Sequence, residues 1–446
     1  MTADELARLH AFLAIPSISA HADRAEDMAA AAEWVADEIR RAGGNAAIRH
    51  AGGHPLVVGE VPASAGAARA PRVLIYGHYD VQPPGPEELW TSPPFAPVER
   101  DGNLYARGAS DDKGNLFMLI AAVQRLAAEG RLPVRAAFVI DGEEESGGTS
   151  AVDFLAADAE PALAAVIFDS PMIGPGRPSF CTGVRGMVYR RITVRTAAGD
   201  AHSGLFGGAA MNAVHALMRI LEAVVPRDGR LPTPLYAGLA PAGPAEVAAW
   251  AELPTGEEAL AAAGLRPADP GAGDGFYMRT LASPSVDVHG VAAGEPAAVK
   301  TNIPGEARAT LSLRVAPGQD ADELAATLDG LLRDAAPAGA DLTIEGLGVA
   351  RSAFIDPEHP ALGAAAAGFE RALGVRPAPI RVGGTLPVIA TLADRGIPTV
   401  LSGFGLPDDA IHAPDEHLRV EHLELGTAAA MEMLTAFGEL GAGTAP

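Results

Sequence analysis

The sequence predicts an α/β chain: a doubly wound, mostly parallel sheet, interrupted by an inserted α+β domain of β-α-β-β-α-β order. Three observations predict it. Short apolar runs alternate with amphipathic stretches at both ends of the chain. Polar clusters follow the apolar runs directly, where open α/β sheets place their ligands. Between residues 184 and 350 the pattern changes to strands of alternating polarity. The expected domains are 1–183 (first part of the sheet domain), 184–350 (the insertion) and 351–446 (second part of the sheet domain).

In chain order, residues 3–14 and 25–42 read as amphipathic helices, with Leu6, Leu9, Phe12 and Leu13 on one and Met28, Ala32, Val35 and Ile39 on the other. Residues 72–76 form an apolar run that stops at Gly77-His78, as a buried strand would. A helix is expected over 114–129, a strand over 134–140 stopping at Asp141-Gly142, a helix over 149–157, and a strand over 164–168 stopping at Asp169-Ser170. Residues 188–196 alternate imperfectly, as a partly exposed strand does. A helix over 209–224, strands over 286–291 and 307–315, a helix over 320–335 and a strand over 341–345 complete the insertion. Ala309, Leu311, Leu313 and Val315 share one face. The Pro/Gly/Ala-rich stretch 226–284 fits no element clearly, although part of it suits short helices. Helix–strand alternation then resumes with helices at 360–373, 386–394 and 421–438 and strands at 379–382 and 398–402.

Composition narrows the function classes. The 446 residues are 48% hydrophobic with a net charge of −23, which argues against binding nucleic acid or an anionic membrane. Cys181 is the single cysteine, so an intrachain disulfide and a cysteine-based zinc site are both excluded. Residues 1–5 carry neither a basic nor an apolar leader pattern, and no run of about 18 apolar residues occurs. A cytoplasmic enzyme is the expected class.

Five polar clusters end apolar strands or follow them: His78 with Asp80, Asp111-Asp112, Glu143-Glu144-Glu145, Asp169 and His412. Each has an ordinary explanation by itself. His78 could be a loop or core histidine, Asp80 a turn residue, Asp111-Asp112 a helix N-cap, the glutamates a solvated turn, Asp169 a strand cap and His412 a surface residue. Together they supply the nitrogen and oxygen donors that a divalent ion takes. Carboxylates massed at one edge repel one another, and a 2+ ion removes that penalty. Their recurrence at one sheet edge favours a metal site, and a pair of ions there would need a carboxylate shared between them.

The segments Gly77-His78-Tyr79-Asp80-Val81-Gln82-Pro83-Pro84, Arg107-Gly108-Ala109-Ser110-Asp111-Asp112-Lys113-Gly114 and Asp141-Gly142-Glu143-Glu144-Glu145-Ser146-Gly147 resemble those of the M20 metallopeptidases. The closest likeness is to the carnosine-type, cytosolic non-specific dipeptidases. Asp200-Ala201-His202-Ser203-Gly204, Lys300-Thr301-Asn302-Ile303-Pro304, Ser312-Leu313-Arg314, Arg381-Val382-Gly383-Gly384-Thr385-Leu386-Pro387 and Ile411-His412-Ala413-Pro414-Asp415-Glu416 extend the resemblance through residues 77–416, in the family's order.

The resemblance implies two divalent ions. Zinc fits best, and manganese or cobalt also suits. His78, Asp111 and Asp169 would hold one ion, and Asp111, Glu145 and His412 the other. Asp80 would orient His78. Glu144 would be the general base for a metal-bridged hydroxide that attacks the amide, and a one-residue slip in the alignment would bring Glu143 into a role. The inserted domain would be a dimerisation or lid domain of a homodimer, with His202 reaching the partner subunit's site to steady the oxyanion. Arg314 would bind a substrate carboxylate, and Asn302, Gly384 and Thr385 would line the pocket. Asn302 and Leu386 depart from residues common in the family. The expected reaction is hydrolysis of dipeptides or short peptides. The alternatives are removal of an N-acyl or N-carbamoyl group by the same core, and a binding protein that keeps the fold without activity.

Overall fold

The computed structural model describes residues 1–50, 52–64, 70–294, 297, 300–384 and 386–443. The chain forms two compact units. One comprises Met1–Thr182, Ile355–Ile380 and Thr391–Pro446, the other Gly183–Phe354 and Arg381–Ala390.

The first unit is built on a six-stranded sheet in the order Asn45–Arg49, Leu56–Val61, Arg135–Asp141, Arg72–His78, Ala164–Phe168, Thr399–Ser402. The last four strands run parallel, and the first two form an antiparallel hairpin added at one edge. Every residue of Ala164–Phe168 is buried, as is every residue after Arg72 in Arg72–His78. Successive strand residues face opposite ways, so both faces of the sheet are covered. Neighbouring parallel strands therefore deliver their C-terminal ends, with His78, Asp141 and the residue after Phe168, to one edge. The hairpin escapes the sequence reading because Asn45–Arg49 is half-exposed and lacks an apolar run.

The helices follow their local signals. Ala3–Leu13 starts in a capping box between Thr2 and Glu5. Lys113–Ala128 is buried at every residue from Lys113 to Val123, because the helices Ala3–Leu13, Ala25–Arg41 and Val420–Gly443 all pack on it. That coverage explains its all-round apolar sequence.

The second unit carries a four-stranded antiparallel sheet in the order Ser285–Ala292, Glu306–Val315, Gly186–Arg195, Asp341–Ala350. Helices Ala213–Glu222 and Ala321–Ala335 complete the β-α-β-β-α-β order. Leu217, Ile220, Leu311, Leu313, Leu324 and Leu328 form its core. Ala213–Glu222 begins later than expected because the Asn212 side chain accepts the Val214 N–H and sets the N-cap there. The strand Asp341–Ala350 outruns the expected 341–345. Its second half, at the sheet edge, is exposed and has no apolar alternation to reveal it. The stretch 226–284 folds into a 3-10 turn at Thr233–Tyr236 and short helices Pro244–Trp250, Gly256–Ala262 and Phe276–Leu281.

The units differ from the expected 1–183, 184–350 and 351–446 in that Gly183 and residues 351–354 fall in the second unit, and so, more consequentially, do Arg381–Ala390. For that last segment the cause is Arg381. Its buried guanidinium binds both oxygens of Glu246 and the carbonyls of Ala240 and Pro241, all residues of that unit.

Candidate metal centre and active site

The site begins with His78, the last residue of its strand. Its side chain is fully buried. Nδ1 lies 3.0 Å from the Asp80 carbonyl and 3.4 Å from Asp80 Oδ1, which sets the ring and leaves Nε2 pointing at Asp111 Oδ1, 3.1 Å away. Asp80 also binds the Glu145 N–H through Oδ2, at 3.0 Å. Asp80 thus positions two of the predicted ligands, His78 through its main-chain carbonyl and Glu145 through its carboxylate.

Asp111 and Asp112 precede helix Lys113–Ala128. Asp112 occupies the N-cap position without making a side-chain cap bond. Its Oδ2 instead accepts the His78 N–H at 3.1 Å. Gly77 makes room for it, since a Cβ there would lie 2.8 Å from that oxygen. Asp111 faces the site between two imidazoles, with Oδ2 2.9 Å from His412 Nε2. His412 Nε2 is also 3.1 Å from Glu145 Oε1, and Gln82 Nε2 donates to Glu145 Oε2 at 3.0 Å. Asp169 follows Phe168, its N–H held by the Ser402 carbonyl at 2.8 Å.

Two donor sets result: His78, Asp111 and Asp169, and Asp111, Glu145 and His412. Within each set one ligand atom per residue lies within 4.8 Å of the others. The structure therefore brings all five predicted ligand residues together, with Asp111 in both sets.

The three glutamates separate by environment. Glu143 is buried and turned to the backbone. Its Oε1 accepts the His54 N–H at 2.8 Å and its Oε2 the Ser150 N–H at 3.1 Å. These bonds occupy it, so the geometry gives no support to a slipped assignment. Burial, opposed by His78 and reinforced by Glu145, Asp111 and Asp80, pushes the Glu144 carboxyl up to about 7.

The surrounding charges act on one another. Burial and then Asp111 push Asp169 well above the carboxylate range. Burial also works to raise Asp111, but hydrogen bonds from His412 and His78 overcome it and hold Asp111 low. Asp111, then Glu145, raise His412 to about 10. His78 Nε2 is buried and makes no hydrogen bond of good geometry, although it faces a carboxylate oxygen 3.1 Å away. A lone pair and a carboxylate converging in this way, within a set of imidazole and carboxylate donors, fit divalent cations.

The other candidates lie in the second unit. His202, exposed, pairs with Asn302 across two short antiparallel strands. Its Nδ1 accepts the Gly204 N–H at 3.0 Å. Arg314 is half-buried on Glu306–Val315, opposite Ser285 on one side and Met187 on the other. Gly384 is exposed beyond strand Ala378–Val382. Thr385 lies outside the described residues. Two positioning groups went unassigned in the sequence reading: Gln82, which sits in a quoted motif, and Glu416, which binds the Asp111 N–H at 3.0 Å. An acid within a Pro-Asp-Glu-His string gives no sign that it is buried.

Comparison with known proteins places the chain. The model of peptidase family M20/M25/M40 matches residues 74–436. A cysteinylglycine-S-conjugate dipeptidase of Corynebacterium striatum is 31% identical, covering 98% of this chain and 95% of its own. Among solved structures, the dipeptidase Dug1p of Saccharomyces cerevisiae superposes with TM-score 0.75 at 25% identity, covering 98% and 96% of the two chains. The M20 metallo-carboxypeptidase Sso-CP2 of Sulfolobus solfataricus gives 0.84 at 25% identity, covering 98% and 100%.

Proposed function

The chain belongs to peptidase family M20/M25/M40 and is a metallopeptidase, and on that premise we propose that it hydrolyses the amide bond of dipeptides or other short peptides at two divalent ions that share Asp111. The observation that carries this reading is the pair of donor sets meeting at Asp111, with Glu144 beside them. The dipeptidase activity named for the C. striatum relative supports the substrate class. So does a cavity of about 150 Å³ beside Asp111 and Asp169, lined also by Ser110, Ser170, Pro171 and Ile411, which suits a small side chain.

His78, Asp111 and Asp169 would hold one ion, and Asp111, Glu145 and His412 the other. When bound, these ions supply Lewis acidity toward the scissile carbonyl and lower the pKa of water. Glu144 takes the proton of the attacking water and returns it to the leaving amine. It must be a carboxylate to do so, the form that positive charge at the neighbouring donors favours. Asp80 keeps the His78 ring in place. His202, offered from a second copy, donates to the developing oxyanion, Arg314 pairs with the substrate carboxylate, and Asn302, Gly384 and Thr385 are further substrate-binding residues. Zinc is our choice of ion on its preference for nitrogen and oxygen donors. A homodimer is favoured by the exposed apolar side chains of Leu205, Phe206 and Met218, close in sequence to His202. We further propose a cytoplasmic location, the single-cysteine composition being one that needs no oxidising compartment.

The test is Glu144→Gln, assayed on a panel of dipeptides, N-acetyl amino acids and a carbamoyl amino acid with Zn²⁺ and Mn²⁺. Dipeptide turnover should fall about 10²–10⁴-fold while two ions remain bound. Wild-type turnover confined to the acylated substrates would replace peptidase by deacylase, and no turnover of any substrate by the fully metallated wild type would reject the enzyme reading.

A further inference from the structure

Glu416 is fully buried four residues after His412. Its Oε1 accepts the N–H groups of Ser110 and Asp111, each at 3.0 Å. Its Oε2 accepts the Gly108 N–H at 3.1 Å and Arg107 Nη1 at 2.5 Å, and its own carbonyl accepts the Ala106 N–H at 3.1 Å. One carboxylate thus closes the turn that presents Asp111.

The segment carrying His412 needs such an anchor. Ala410, His412 and Asp415 have φ of 55°, 62° and 60°, a left-handed region that non-glycine residues keep only where their surroundings hold them. Asp409 ties the segment to Leu406 N and Ser110 Oγ at 2.8 and 3.0 Å. Asp415 is tied to Thr91 N and Oγ at 2.8 and 2.7 Å. Glu416 joins this segment to the Asp111 turn, about 300 residues away in sequence.

We propose that Glu416 is a positioning residue for ion binding, holding Asp111 and His412 in register so that their donor atoms meet. It touches neither substrate nor any predicted ligand atom and acts through the backbone of the Asp111 turn. The inference rests on the two-ion reading above. All four groups around its carboxylate are donors, so an amide in its place sets an NH₂ against at least one of them in either orientation.

The experiment is competitive titration of zinc against a chelator on the full chain, comparing wild type, Glu416→Gln, Glu416→Asp and Glu5→Gln. Glu5, also paired with an arginine, controls for loss of a structural carboxylate elsewhere. Wild type and Glu5→Gln should bind two zinc ions with equal affinity. Glu416→Gln should bind zinc about 10–100-fold more weakly, while the chelated protein keeps its near-UV circular dichroism and cooperative melting. Should Glu416→Gln fail to fold, Glu416→Asp carries the test, because its shorter arm withdraws the charge from the turn and should weaken zinc in the same direction. Wild-type affinity in the Glu416 variants that fold overturns the proposal, as does weakening accompanied by loss of cooperative melting in Glu416→Asp. A wild-type chain that takes up no zinc would instead overturn the two-ion reading itself.

Discussion

In the first unit His78, Asp80 and Asp112 have no exposed side-chain surface, and each is bound to another part of the same sheet edge. In the second unit Arg191, Arg195 and Arg308 stand in solvent on the sheet face opposite the helices, paired with Glu345 and Glu306. The difference follows from sheet type. A parallel sheet is covered on both faces, so polar side chains gather where the strands end. An antiparallel sheet needs only one covered face and can spread charge across the other. Buried charges are costly and must be mutually satisfied or matched by an ion, whereas exposed pairs are screened and contribute little. The first unit is thus the place where single charges decide chemistry, and the second the place where apolar packing decides stability.

Four substitutions test that contrast. The largest effect should come from Asp111→Asn, which removes a charge common to both donor sets. Bound metal measured by calorimetry or elemental analysis should fall from two ions toward none, and turnover with it. Retention of both ions would show that the two sets do not depend on Asp111. In the second unit, Leu311→Ala should cost about 2–5 kcal/mol in urea unfolding, since Leu311 is fully buried among Leu313, Leu324 and Leu328. Metal stoichiometry should not change, and a change would break the separation of roles.

The smallest effect concerns acid stability. Hydrogen bonds from Arg125 hold Glu5 and Glu424 down at about 2, from 4.5. Both folded-state values are depressed, so the stability they contribute is fully present above pH 4.5 and is lost as the pH falls toward 2. Glu5→Gln should flatten the acid limb of stability in that window. Glu306, lowered by hydrogen bonds from Arg308 and Arg195 on the solvent-facing side of its sheet, should give almost no change when replaced by Gln. Equal slopes for the two variants would show that burial does not govern the strength of these pairs.

Much of the fold was legible because local patterns and tertiary demand agree. The strands Arg72–His78, Arg135–Asp141 and Ala164–Phe168 announce themselves as apolar runs, and Glu306–Val315 by its alternation, with Ala307, Ala309, Leu311, Leu313 and Val315 all buried. Elements with half-exposed or Gly-rich sequences, such as Asn45–Arg49 and the end of Asp341–Ala350, leave no such periodicity. The donor residues were legible as chemistry at strand ends, and their assignment to two sets came from family resemblance.

By itself the sequence determined the two architectures and the kinds of donor at the sheet edge, because periodicity and side-chain chemistry are properties of neighbouring residues. Only the tertiary structure decided that Glu143 serves the backbone, that Arg381 draws its segment into the second unit, and that Glu416 closes the Asp111 turn. In each case a buried charge is satisfied by partners about 90 to 300 residues distant in the chain, and no local pattern records who those partners are.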